Sequence, residues 1–373
     1  MLDKAFRFTG KDLAKLTSVM IIGTLMFGLP GLIMMLFFQW ITNQSYAVEP
    51  ADKHGISHIG ASRLGGAAVF CFSLFLYVLG SYSELEDSRK FASVPSIAWI
   101  TAIVCMLIGL IDDLNSNFLS ARQRLLSTVV IFSFCLALWS SLIPASLGIP
   151  FLDVLLAVPP VGWFLAVVFC VGFVNAINMA DGANGLMPGI LTVAFLVFYL
   201  ETELLVYAVL LTSCGLFSIF NVISGRLFLG DAGAYGLGSV LVMSGLFLFS
   251  EKIFSAAFLA VLFAYPCIDI LVTVLRRCMQ GRSILLPDND HLHNRVHFHF
   301  QNWFHSKTVA NSMTGVLIVA FSSGVALLGF IQQWWSVTSN QWVWIFFAQL
   351  FIYLVSFFGA GLGRNLNQYA VTR

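Results

Sequence analysis

The chain has 373 residues, of which 59% are apolar, 14% aromatic and only 10% charged, with a mean hydropathy of +0.89. About a quarter of the residues in a water-soluble domain are charged, so an ordinary globular enzyme is excluded; so apolar a chain leaves too little polar surface to cover a core. A net charge of +1 creates no global field, so nucleic acid is not an expected partner, and the 36 Phe suit lipid contact and helix packing.

Eleven apolar stretches long enough to span a bilayer are expected, at roughly 17–40, 64–82, 95–111, 125–143, 155–174, 186–200, 204–224, 234–250, 253–275, 311–332 and 341–363. The expected fold is therefore all-α, a polytopic integral membrane protein with residues 1–373 as a single domain. Lys4, Arg7, Lys11 and Lys15 precede the first stretch. That stretch is too long for the apolar region of a signal peptide, so it is read as a retained first span. The next loop holds His54, His58, Arg63 and Gly65-Gly66, which alone read as an anchor at a helix start.

The third stretch ends in Gly109-Leu110-Ile111-Asp112-Asp113. Two adjacent carboxylates at a hydrocarbon boundary repel each other and need a cation or donor, which suggests a metal or phosphoryl-transfer site; the plainer reading is a solvated helix end. Leu119-Ser120-Ala121-Arg122-Gln123-Arg124 then brings cations to the start of the fourth stretch, where anchoring to lipid phosphates competes with a role in a site. The fifth stretch closes with Asn175, Asn178 and Asp181, spaced to share one helix face, followed by the breakers Gly182 and Gly185. Such a stripe of hard oxygens suits Mg²⁺; its plainer reading is a polar clamp between helices.

Only Glu201-Thr202-Glu203 separates the sixth and seventh stretches. Gly230-Asp231-Ala232-Gly233 follows the seventh, on its own a common turn pattern, and Asp269 lies inside the ninth, divided between structural pairing and support of a site. From Arg276 to about Ala310 runs the longest polar stretch, a His/Arg-rich loop holding five of the seven histidines, among them His291, His293, His297 and His299 with Arg295 between. Cations beside carboxylates suit a diphosphate, whereas a zinc site is the competing use of the histidines. Of the seven cysteines, six lie in apolar stretches and none forms a CxxC pair, so they read as small core residues.

Polar residues crowd the loops after the odd-numbered stretches, which share one side of the membrane, so five separate clusters can converge on one face. That face carries 12 of the 19 Lys and Arg, which makes it cytoplasmic by the positive-inside rule; four of the opposing seven are the N-terminal cations.

In this order, His58…Arg63-Leu64-Gly65-Gly66, Asp112-Asp113, Asn175-x-x-Asn178-x-x-Asp181-Gly182-x-x-Gly185-Leu186, Gly230-Asp231-x-Gly233 and Asp290-His291-Leu292-His293 resemble the polyprenyl-phosphate N-acetylhexosamine-1-phosphate transferase family. The likeness is closer to the N-acetylglucosamine and N-acetylfucosamine initiators than to the muramoyl-pentapeptide branch. It implies ten or eleven helices around a cytoplasmic cleft in a bacterial inner membrane, and transfer of a sugar-1-phosphate from a UDP-sugar to undecaprenyl phosphate with release of UMP, initiating O-antigen or other cell-envelope glycans. Carried over by motif, Asp231 and Asn178 hold Mg²⁺, for which Mn²⁺ is a substitute. Asp112 and Asp113 position or deprotonate the lipid phosphate, with Asp231 the third catalytic acid. Arg124 stands where the family usually has Lys and contacts phosphate, Phe228 stacks on uracil, and His291, His293 and Arg295 hold the diphosphate. Asn175, Asp181, His58 and Arg63 complete the substrate-binding set. The bilayer and a second copy in a homodimer are the further expected partners.

Three departures stand out: Ser62 in place of the usual Pro, Ala234 for a frequent Ser, and Asn294 for a frequent third His. Whether the lipid phosphate attacks directly or an aspartyl-phosphoryl intermediate forms is open at this stage. Two rivals predict other patterns. A CDP-alcohol phosphotransferase needs several Asp on consecutive turns of one segment, and a transporter needs midspan ionisable residues and inverted repeats.

Overall fold

The computed structural model describes residues 10–44, 47–49, 61–83, 96–115, 118–284 and 288–361; His54 and His58, the acidic run from Glu84 to Asp87, and Arg364 and Arg373 lie outside the described residues. The helices are α1 (Gly10–Thr42), α2 (Gly65–Ser83), α3 (Ser96–Leu114), α4 (Ala121–Leu138), α5 (Pro150–Leu156), α6 (Pro159–Ala180), α7 (Leu186–Thr202), α8 (Leu205–Ser224), α9 (Gly230–Ser250), α10 (Ala256–Leu262), α11 (Ala264–Met279), α12 (Leu292–Trp303), α13 (Lys307–Phe321), α14 (Ser323–Ile331) and α15 (Trp342–Gly359). Two short strands, β1 (Val48–Glu49) and β2 (Ala61–Ser62), pair antiparallel.

Each of the eleven expected stretches is occupied by helix. Among the described residues, seven helices are long and apolar enough to cross a membrane, or nine when the bent pairs α10/α11 and α13/α14 each count as one span. Gly65–Gly80 and Leu186–Thr202 are shorter apolar helices. Many exposed side chains are large and apolar, Leu25, Phe75, Phe134, Phe164 and Phe351 among them, as expected where lipid rather than water is the neighbour.

The pole of the bundle is α9, 89% of whose membrane window is buried. Its small residues (Ala232, Gly233, Ala234, Gly236, Gly238, Ser239) let α2, α3 and α6 pack directly against it. The closeness is backbone to backbone. A Cβ added at Gly109 of α3 would sit 2.3 Å from the Asp231 carbonyl oxygen.

Broken helices in a membrane must find partners for the backbone groups they release. The α10/α11 pair bends by 82° and the α13/α14 pair by 45°, and the two breaks satisfy each other. The Tyr265 N–H donates to Ser322 Oγ at 3.1 Å, and Gln349 Nε2 of α15 donates to the Ser322 carbonyl at 3.0 Å.

The first apolar stretch is not a straight span. At Gly28 the backbone turns to φ 60°, ψ −142°, with Pro30 just beyond, and the helix folds back on itself. Gly23 and Gly31 are eight residues apart, about 12 Å along a straight helix. Yet a Cβ on Gly31 would lie 2.1 Å from the Gly23 carbonyl oxygen, and a Cβ on Gly23 would lie 2.7 Å from Met35 Cγ. α1 is thus a helical hairpin of two arms, with Val19, Gly23, Gly31 and Met35 buried.

Candidate active site

The site is assembled at the start of α9. The segment before it, Arg226 to Leu229, lies beside the segment 61–66: the Ser62 N–H donates to the Arg226 carbonyl at 3.0 Å, the Phe228 N–H to the Ser62 carbonyl at 2.8 Å, and the Gly65 N–H to the Phe228 carbonyl at 3.1 Å. Proline at position 62 would have no N–H for the first of these bonds. Gly230 follows with φ 72°, and a Cβ there would lie 2.1 Å from the Arg63 carbonyl oxygen. Position 230 thus calls for glycine twice over, for its backbone angle and for the close approach.

The α9 N-terminus is a set of backbone donors, and carboxylates from two other helices occupy it. Asp113, fully buried, accepts from the N–H of Asp231 at 3.0 Å and from that of Ala232 at 2.8 Å; the Arg63 guanidinium is 3.7 Å away. Asp181 accepts from the Gly230 N–H at 3.1 Å. The adjacent Asp112-Asp113 pair is therefore divided in role: one acid docks α3 on α9 and the other binds Arg124.

Asp112 accepts from the Leu119 N–H at 2.9 Å and from Arg124 Nη1 at 2.7 Å. The same Nη1 donates to Asp231 Oδ2 at 2.9 Å. Arg124 reaches this point because a capping box starts α4: Ser120 accepts from the Gln123 N–H while the Gln123 side chain accepts from the Ser120 N–H, which puts Arg124 in the first turn. Asn178 Nδ2 lies 3.5 Å from the Tyr235 hydroxyl, one helical turn beyond Asp231.

Two hard-oxygen donors on different helices thus converge on one point, where a guanidinium nitrogen supplies the positive charge. Asp112 and Asp231, with Asn178 beside Tyr235, are a donor set of the kind that suits Mg²⁺, an ion that takes one or two carboxylates and keeps waters for substrate phosphates. Among the described residues no group of three or more His, Cys, Asp and Glu side chains is arranged to hold a metal.

A second polar cluster lies beside the first. Asp269 of α11, 2% exposed, accepts from His291 Nδ1 at 2.7 Å, from the Tyr353 hydroxyl of α15 at 2.6 Å and from the Leu292 N–H at 3.4 Å. His293 Nδ1 is bonded to the Tyr265 hydroxyl at 2.8 Å. The His291 and His293 rings stack with centroids 5.4 Å apart and planes at 4°. A Cβ on Gly182 would lie 2.6 Å from His293 Nε2, so the histidines abut the Asn175–Gly185 turn. Burial opposes a charged His291 ring, but the Asp269 carboxylate outweighs it and raises the pKa above the ordinary histidine value. For Asp288 burial works upward, and the hydrogen bond from Arg276 outweighs it, holding the carboxyl below the usual range.

The sequence-derived candidates divide into groups. Asp112, Asp113, Asp181, Asp231, Arg63, Arg124 and Asn178 meet around the start of α9, and Phe228, buried, forms the strand-like lead into it. His291 and His293 sit at the start of α12 against the same turn. Asn175 bonds within its own helix, to the Val171 carbonyl at 2.8 Å. His58 lies outside the described residues. Arg295 is placed elsewhere: Nε and Nη2 clasp Asp290 at 2.7 and 2.9 Å, Nη1 donates to the Phe357 carbonyl at 2.6 Å, and the guanidinium stacks 3.6 Å from the Phe357 ring. It ties α12 to α15. Arg276 and Arg277 are likewise bonded to Asp288 within the loop.

Sequence reasoning missed Tyr235 and Tyr353. The first has a signal, four residues after Asp231 and so on the same helix face. The second has none, being one tyrosine in an apolar helix distant in sequence.

The ordered constellation has counterparts in known proteins. Residues 96–249, from α3 to the end of α9, match the family model of Glycosyl transferase family 4. A probable undecaprenyl-phosphate N-acetylglucosaminyl 1-phosphate transferase of Bacillus subtilis (strain 168) is 27% identical over 264 residues, 67% of this chain and 69% of that protein. A phospho-N-acetylmuramoyl-pentapeptide-transferase of Staphylococcus carnosus (strain TM300) is 28% identical over 284 residues, 72% of this chain and 85% of that protein. One from Synechococcus sp. (strain JA-2-3B'a(2-13)) is 27% identical over 250 residues, 63% of this chain and 69% of that protein. The matched segment holds both carboxylates bound by Arg124 and the helices that carry them, so from α3 to α9 the chain is similar to glycosyl transferase family 4.

Proposed function

We propose that the protein transfers a sugar-1-phosphate, an N-acetylhexosamine-1-phosphate, from a UDP-sugar to undecaprenyl phosphate, on the cytoplasmic face of a bacterial inner membrane. The observation that carries this reading is the convergence of Asp112 and Asp231 on Arg124 at 2.7 and 2.9 Å, a cation-bridged acid pair beside a histidine pair. Relatives named as transferases of both branches support the class, and the likeness of the Arg276 to Arg295 pattern to the N-acetylglucosamine initiators favours a donor of that type over a muramoyl-pentapeptide.

In this reaction an oxygen of the lipid phosphate attacks the sugar-bearing phosphorus. A new P–O bond forms, the anhydride P–O bond breaks, and UMP leaves with the bridging oxygen. A phosphate monoester carries about −1.5 to −2 charge at pH 7, so it needs little deprotonation. The difficulty is bringing two anions together, and Arg124, Arg63 and the histidine pair answer it by placing positive charge around the cleft. Asp231 and Asn178 are the residues that would hold Mg²⁺. The ion, when bound, neutralises phosphate charge. Direct attack is favoured over an aspartyl-phosphoryl intermediate. Asp113 has both oxygens on backbone N–H groups of α9, and Asp112 is held by Leu119 and Arg124. A mostly apolar cavity of about 210 Å³, lined by Ile268, Leu292, Val296, Leu317, Phe321 and Ile352, has the chemistry to take part of a prenyl chain.

The test is UMP release from a panel of UDP-sugars with undecaprenyl phosphate and Mg²⁺. A single preferred UDP-N-acetylhexosamine is expected, and silence with every donor refutes the reading. A transporter would show substrate flux without UMP.

A further inference from the structure

We propose that Asp269 and Tyr353 are positioning residues for His291, fixing its ring through Nδ1 so that Nε2 is presented to the anionic diphosphate of the sugar donor. The proposal rests on the reaction proposed above. Both histidines are anchored by Nδ1 to side chains of α11, His291 to Asp269 and His293 to Tyr265. Their rings are parallel, so both Nε2 atoms turn away from α11, and that of His293 abuts Gly182 of the Asn175–Gly185 turn. A carboxylate on Nδ1 holds a proton there and favours the charged ring, in which the outward Nε2 also carries a proton. Tyr353 comes from α15, far outside the segment matched by the family model, and its hydroxyl takes the second oxygen of Asp269 at 2.6 Å. With the Leu292 N–H also on Asp269, the carboxylate is pinned by three donors from two elements, the start of α12 and α15. The titratable and charged groups acting on His291 are Asp269 of α11, Asp288 of the loop and Arg276, with His293 stacked on it and Thr273 Oγ1 at 3.4 Å.

The test is donor-dependent UMP release across pH for wild type, Asp269→Asn and Tyr353→Phe. Losing the Asp269 charge weakens the hold on the His291 proton, so the alkaline limb of kcat/KM for the donor moves to lower pH. Tyr353→Phe raises the donor KM about tenfold with kcat retained, the effect of one hydrogen bond to a charged group. A pH limb that stays in place in Asp269→Asn overturns the proposal. If that variant fails to fold, Tyr353→Phe decides: KM raised with kcat kept supports it, and kcat and KM unchanged, or kcat alone reduced, overturns it. Wild type inactive with every UDP-sugar instead refutes the reaction, a distinguishable failure.

A separate observation carries a second inference: α1 enters and leaves the membrane on the same side. The chain that follows its second arm comes beside the site, where the Arg63 N–H donates to the Ala47 carbonyl at 3.0 Å. Its turn reaches only the middle of α8, where Phe27 Cζ lies 3.8 Å from a Cβ built on Gly215 while Phe38 packs on Phe217 and Phe220. With the Gly23–Gly31 approach closing the turn, the first arm runs back toward the site face. Lys15 then joins that face, which reduces the opposition to the positive-inside assignment. Ala14 and Cys278 are both exposed, and Cys278 closes α11 just before the histidine loop. In sealed vesicles, an impermeant maleimide is expected to label Ala14→Cys (with Cys278→Ser) from the side that labels native Cys278, and a protease is expected to remove an epitope placed before Met1 from that same side. Reaction of either probe from the opposite side overturns the inference.

Discussion

At Arg124 one nitrogen holds two buried carboxylates. Removing one partner from such a group leaves charges that the membrane cannot solvate, so Arg124→Ala is expected to cost about 3–5 kcal/mol, read as a lower melting temperature in detergent. Arg124→Lys keeps the charge but not the planar fork, and is expected to fall between. Arg295 gives the opposite pattern. Arg295→Ala loses the Asp290 clasp and the Phe357 contact and is expected to lower the melting temperature while leaving the donor KM unchanged; a KM raised tenfold would return it to the diphosphate. The His291–Asp269 pair adds a pH dependence whose sign follows from the shift. A pKa raised on folding contributes stability that is fully present below the unfolded value of about 6.5 and is lost as pH rises through the folded value. Thermal melts of wild type are expected to fall across that window on the alkaline side, and the His291→Gln variant is expected to lack this component.

Among the elements, α9 is the one on which the site depends. Its first turn binds Asp113 and Asp181, and its small residues hold α3 at backbone distance. Gly109→Ala puts a Cβ 2.3 Å from the Asp231 carbonyl oxygen, where rigid backbone must move, so the variant is expected to lose both stability and turnover. Gly80→Ala meets only the end of the flexible Leu205 side chain at 3.0 Å and is expected to melt within about 1 °C of wild type. Equal effects from the two substitutions would show that the α3–α9 contact is not special.

Much of this arrangement was legible in the sequence because polar groups are costly at a hydrocarbon boundary. Asp112, Asp113, Asn178, Asp181 and Asp231 stand out against apolar surroundings at the ends of their helices. What periodicity and hydropathy do not carry is the path of the chain within an apolar run. The α1 hairpin has the composition of a straight span, and only Gly28-Leu29-Pro30 hints at the turn. The breaks at Phe263 and Ser322 are settled by each other and by Gln349, partners set by tertiary packing. Arg295 looked like an anion ligand by its neighbours, but the aromatic ring and carbonyl of Phe357 that hold it lie 62 residues away in sequence.

Across the whole molecule, segments from both halves of the chain meet around the start of α9, and α12 to α15 supply the histidine cluster and its Tyr353 support outside the region shared with the family model. The central claim is that the acid pair bridged by Arg124 is the place where phosphoryl transfer occurs. UMP release by purified protein given UDP-N-acetylhexosamine, undecaprenyl phosphate and Mg²⁺, compared between wild type and Asp231→Asn, tests it most directly. Robust release by wild type and loss of at least about a hundredfold in the folded variant is the predicted result. Turnover at the wild-type level in Asp231→Asn would contradict it.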